Sequence, residues 1–118
     1  MSNESVIEEI ELNMKEAEKL IELGDMLVKL ESNRAFKKVI MEGYLEKEAV
    51  RMTHLKAHPN MQSEEQRALL ERGLDGIAQL VNYFNTVQYR AKLAADAIKA
   101  DSEELDRIRN EDDDSELN

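Results

Sequence analysis

SEEQRALLERGLDGIAQLVNYFNTVQYRAKLAADAIKADSEELDRIR, residues 63–109, decides the fold class. Within it Leu70, Leu74, Ile77, Val81, Phe84, Gln88, Ala91, Ala95, Ile98, Ser102 and Leu105 follow in alternating steps of four and three. Only Gln88 and Ser102 in that series are polar. This is the spacing of one stripe along an α-helix. A sustained seven-residue repeat favours left-handed supercoiling against partner helices, because seven residues fall just short of two full turns. A flanking stripe of Leu69, Gly73, Gly76, Leu80, Tyr83, Val87 and Ala94 widens the first half, and small residues at 91, 94, 95, 97 and 100 allow close approach in the second.

Working outward, Ser63 with Gln66 three residues later reads as a capping box that starts this third helix at about Glu64. His58-Pro59-Asn60 ends the helix before it, since the residue preceding proline is pushed out of helical geometry. That second helix is expected over 34–57. Phe36, Val39, Ile40, Val50 and Leu55 supply its apolar side, with Met41, Tyr44, Leu45 and Met52 widening it. Gly43 in its middle predicts a close helix crossing. Glu31-Ser32-Asn33 separates it from a first helix over about 5–31, with Ser32 or Asn33 as the new cap. In the first helix Ile7, Ile10, Met14, Ala17, Ile21 and Val28 form one stripe, with Gly24 in its gap, and Leu20, Leu23, Leu27 and Leu30 form a second beside it.

The expected architecture is therefore all-α: a three-helix antiparallel arrangement in one domain over 1–109, with a long coiled-coil-like third helix. NEDDDSELN, residues 110–118, has five acids and almost no apolar content, and predicts a disordered acidic tail. At 118 residues the chain has length for one modest core. Five aromatics and no cysteine leave that core to Leu, Ile, Val, Met and Ala, and exclude disulfides, thiolate metal sites and a cysteine nucleophile. No apolar run is long enough for a membrane span, and the acidic N-terminal stretch is unlike a signal peptide, so a cytoplasmic location is expected.

Formal charge is −10, unevenly placed. Residues 1–31 carry nine acids and three bases, 32–60 carry three and six, 61–100 five each, and 101–118 nine and two. The expectation is that the acidic first helix neutralises the basic second. Net negative charge also opposes contact with nucleic acid or anionic membrane.

A third helix of about 45 residues spans roughly 68 Å, against about 35–40 Å for each of the others. Ala95, Ile98 and Leu105 then outrun the cover of a three-helix bundle. Another copy of the chain, a different partner or a bend in the helix would have to bury them. The seam of Leu70, Leu74, Ile77, Val81, Phe84, Ala91, Ala95, Ile98 and Leu105 is the candidate partner surface.

Chemistry is poorly represented. His54 and His58 share a helix face at metal-ligand spacing, but Leu55 stands where H-E-x-x-H needs its acid, and Glu48 is followed by Arg51 where a di-iron E-x-x-H unit needs histidine. Glu46, Glu48 and Arg51 suit an ordinary helix-surface cluster. No phosphate loop and no Ser-His-Asp set is present, so no catalytic residue, metal or cofactor is expected. Arg34, Lys37 and Lys38 are the candidate anion contact, without the stacking aromatics of a nucleic-acid site.

The stretch NRAFKKVIMEGYLEKEAVRMTHLKAHPNMQ, residues 33–62, with FKKVIMEGYLEKEAVR its most distinctive part, resembles small acidic helical proteins of tailed bacteriophages over most of 20–105. The resemblance brings no assigned activity or site residues. It implies a phage protein acting in the bacterial cytoplasm or in particle assembly. Together these features lead to a non-enzymatic helical assembly factor such as a scaffold, morphogenesis chaperone or minor virion component. An acidic inhibitor that mimics DNA, or a sponge for an anionic small ligand, are the alternatives.

Overall fold

The second and third helices begin where a side chain satisfies their first amide groups. The chain, a computed structural model describing the backbone of residues 3–117 and the side chains of 3–112, has three helices and, among the described residues, no strand. Helix α1 is Asn3–Ser32. Asn33 then leaves helical geometry (φ −70°, ψ 126°) and its side-chain oxygen accepts the Phe36 N–H at 2.9 Å, which caps α2. Helix α2 covers residues 34–56, with Arg34–Phe36 and Ala49–Lys56 in α geometry and Lys37–Glu48 in π geometry between them.

A short 3₁₀ turn, Pro59–Met61, follows, tied by the Gln62 amide donating to the Lys56 and His58 carbonyls. The His58 ring serves the same turn, its Nδ1 accepting the Asn60 N–H at 3.1 Å. Helix α3, Glu64–Leu117, opens on the expected reciprocal cap: Gln66 N–H to Ser63 Oγ at 3.2 Å, and Ser63 N–H to Gln66 Oε1 at 3.3 Å.

The π segment changes which side of α2 is apolar. Hydrogen bonds closing over five residues rather than four put more residues in each turn, so the buried side advances faster along the sequence than a 3.6-residue period allows. Phe36, Ile40, Tyr44, Glu48 and Met52 are half-buried, whereas Val39 and Val50, assigned inward on α-helical spacing, are 65% and 55% exposed. Gly43 corrects another expectation. The nearest neighbour of a Cβ built there is the Lys38 carbonyl of the same helix, at 3.2 Å, so the glycine sits in a π turn and marks no helix crossing.

The helices form two compact units within the stretch expected to be a single domain. In the unit of residues 26–86, α2 packs antiparallel on the start of α3. Phe36 meets Phe84 with ring centroids 6.1 Å apart, and the Tyr44 hydroxyl lies against Gly76. Leu27, Leu70 and Ile77 are buried, and Leu74, Val81 and Phe84 half-buried. A Cβ on Gly73 would lie 2.8 Å from the Sδ and Cε of Met52, the mobile end of a flexible side chain. Gly73→Ala should therefore hold stability level or raise it by up to about 1 kcal/mol from helix propensity. A denaturant midpoint that falls would show that Met52 cannot yield.

The other unit, residues 1–25 and 87–118, is an antiparallel pair of α1 and the later part of α3. Asn3 donates a side-chain hydrogen bond to Asp112, Arg109 pairs with Glu11 at 3.4 Å, and Gly24 abuts Ala91. The Asn3–Asp112 and Gly24–Ala91 contacts share one register. That register sets Ile7 beside Ile108 and Ile10 beside Leu105 toward the open end, and Ala17 beside Ile98 and Ile21 beside Ala94 further in, so large residues pair with large at one end and with small at the other. Buried here are Ala17, Gly24, Val87, Ala94, Leu105 and Ile108.

Two expectations are corrected in this unit. Residues 91–105 do not outrun intramolecular cover, because residues 3–25 of α1 lie along them; helix lengths alone said nothing of where α1 packs. The C-terminal tail does not begin at 110 either. Asn110–Asp112 continue α3, with Asp112 half-buried and bonded to Asn3. The side chains of the remaining tail residues, 113–118, lie outside the described residues.

Candidate interaction surface

The heptad repeat of α3 holds on one line and fails on the other. Leu70, Ile77, Phe84, Ala91, Ile98 and Leu105 are buried or half-buried throughout. Their companions Leu74 and Val81 are half-buried, but Gln88, Ala95 and Ser102 on the same line are exposed. In their place Val87, Ala94, Asp101 and Ile108, one residue earlier in each heptad from residue 87 on, turn inward. A seam facing one helix needs two lines only, and α1 takes the pair 87–94–101–108 with 91–98–105. The candidate partner seam is thus largely spent within the chain, and Leu105 at 6% exposure is no docking residue.

What remains uncovered follows from the thinness of a two-helix unit, which buries one narrow stripe and leaves both flanks to solvent. On one flank Asn13, Glu16, Ala17 and Leu20 of α1 and Arg90, Leu93, Ala94 and Ala97 of α3 line an open groove of about 330 Å³. Leu20 is 38% and Leu93 49% exposed. Its floor is alanine and its walls are leucine. The second leucine stripe of α1 was the sequence signal for this flank; Leu20, Leu23 and Leu30 of that stripe are exposed and only Leu27 is buried.

The basic residues form no comparable site. Arg34, Lys37 and Lys38 are exposed at the start of α2, and Lys38 pairs with Glu42 at 3.4 Å. Arg51 bonds Glu48, its Nε donating at 2.9 Å. The guanidinium holds the Glu48 carboxyl below its usual range, chiefly through that hydrogen bond, so this pair is lost only on acidification. Lys38 and Arg51 are thus neutralised from within α2, not by α1 as the charge pattern predicted. His54 is exposed, and no three His, Asp or Glu among the described residues are placed to hold a metal ion. No helix among the described residues is long and apolar enough to cross a membrane.

Charge divides between the units. Residues 3–25 and 87–112 carry 15 acids against 7 bases, whereas 26–86 carry 8 against 9. Comparison with protein families, curated proteins and solved structures finds no match to the chain.

Proposed function

We propose that the protein is a non-enzymatic helical assembly factor of the phage-morphogenesis kind, working in the bacterial cytoplasm or the phage particle through contacts with copies of itself and other proteins. The observation that carries this is the thin core. No side chain among the described residues reaches full burial, and twelve large hydrophobic residues are exposed. The chain exposes 9071 Å², where a globular monomer of its mass exposes roughly 6,600 Å². Helices that bury so little gain more from association than a closed core would.

Light scattering across a concentration series tests this. The mass is expected to exceed that of the monomer and to keep doing so in high salt, because apolar contacts are not screened. Monomer mass at every concentration would overturn self-association.

The acidity of the two-helix unit favours a second reading, an acidic inhibitor that occupies the nucleic-acid site of a host protein. It predicts capture that high salt abolishes. The anionic-ligand sponge gains no support from the exposed, partly paired Arg34–Lys38 segment.

A further inference from the structure

The groove between Leu20 and Leu93 is self-complementary, and the geometry points to a second copy of this chain as its occupant, docked about a two-fold axis through the groove's middle. This inference rests on the self-associating reading above and assigns that association to one surface.

Shape is the first argument. In a two-fold interface one patch meets itself, so the patch must carry both projections and recesses. Leu20 and Leu93 project, while Ala17, Ala94 and Ala97 leave recesses between the helices. A patch made only of leucines would need a different surface to receive them. Leu23 and Tyr89, 42% and 62% exposed, lie about one turn further along the same two helices and extend the apolar area beyond the Arg90 end. Two such hairpins packed together form a four-helix bundle, which closes the core that one hairpin leaves open.

Charge is the second. Glu16 stands toward one end of the groove and Arg90 at the other. A two-fold axis through the middle exchanges the ends, bringing Glu16 of each copy to the Arg90 end of its partner. Among the described residues Arg90 has no ion-pair partner, and Glu16 is paired only with Lys19 of its own helix, both side chains largely exposed. In a unit with twice as many acids as bases, an arrangement that laid acid on acid would be repelled. The two-fold arrangement avoids that repulsion at this groove.

Sedimentation equilibrium of the full chain, with Arg90→Glu, Glu16→Arg, the double swap and Leu93→Asp, tests the assignment. Circular dichroism spectra at low temperature should match wild type, as all three side chains are exposed, while the melting midpoints should fall in the order in which the dimer weakens. Wild type is expected to be a dimer, and each charge reversal to weaken it by about tenfold or more. The double swap should restore it, and Leu93→Asp should leave monomers. A wild-type dimer indifferent to Arg90→Glu and Leu93→Asp would overturn this interface while leaving self-association intact. A wild-type monomer would overturn both, and leave the groove to a different protein.

Discussion

Leu105→Asp is expected to unfold the pairing of α1 with the later part of α3, at a cost of about 4 kcal/mol. Leu105 is 6% exposed, in the seam beside Ile10 at the foot of an open groove lined by Glu11, Met14, Lys15 and Glu18, where a carboxylate gives up the apolar contact and meets two acids against one lysine. Its loss should remove much of the helical signal at 222 nm on mild heating and make residues 87–112 the first site of proteolysis. Ala95→Asp is the matched control. Ala95 belongs to the same heptad series in sequence but faces solvent, so its change should cost only the poorer helix propensity, within about 1 kcal/mol. Equal effects at the two positions would show that the inward line is 88–95–102 after all.

Enlarging Gly24 is expected to be nearly as damaging. An ideal Cβ there would lie 2.6 Å from the Cβ of Ala91, closer than real Cβ atoms approach, and neither atom belongs to a movable chain end. Gly24→Leu should cost about 3 kcal/mol by overpacking. Gly24→Ala sets a propensity gain of about 1 kcal/mol against the same clash, and should come out destabilising. Adding Ala91→Gly should recover most of that loss, because the two residues share one contact and their effects cannot be additive. Denaturant midpoints of the four proteins in that cycle decide the matter. Independent effects would mean that the helices do not cross here. Gly73→Ala makes the contrast plain: a similar overlap is harmless where a methionine tail can swing away.

The resemblance of these two glycines in sequence shows why part of the structure was hidden. Both interrupt helical stripes, and nothing nearby reveals whether alanine or methionine will stand opposite. Gly43, a third, served the local π geometry. The groove was half visible: the leucine stripe on α1 could be read, but not that Leu93 and Ala97 would complete it. The inward set of α2 was misplaced at Val39, inside the π segment, and at Val50, just past it, because a 3.6-residue period was carried through a stretch with more residues per turn.

The three helices, the first residues of α2 and α3 and the cap at Ser63 were legible in the sequence alone, and the α2 cap was narrowed to Ser32 or Asn33, because propensity, capping and proline act over four or five neighbouring residues. So was the line Leu70–Ile77–Phe84–Ala91–Ile98–Leu105, which stays inward whatever lies beside it. Which companion line turns inward was decided only by the tertiary structure. That depends on which helix covers α3 at each level, and residues 3–25 and 87–112 are too far apart in the chain for any local pattern to pair them. The long third helix therefore kept its seam and lost its vacancy. α1 occupies the seam, and the open surface moved to the flank beside it.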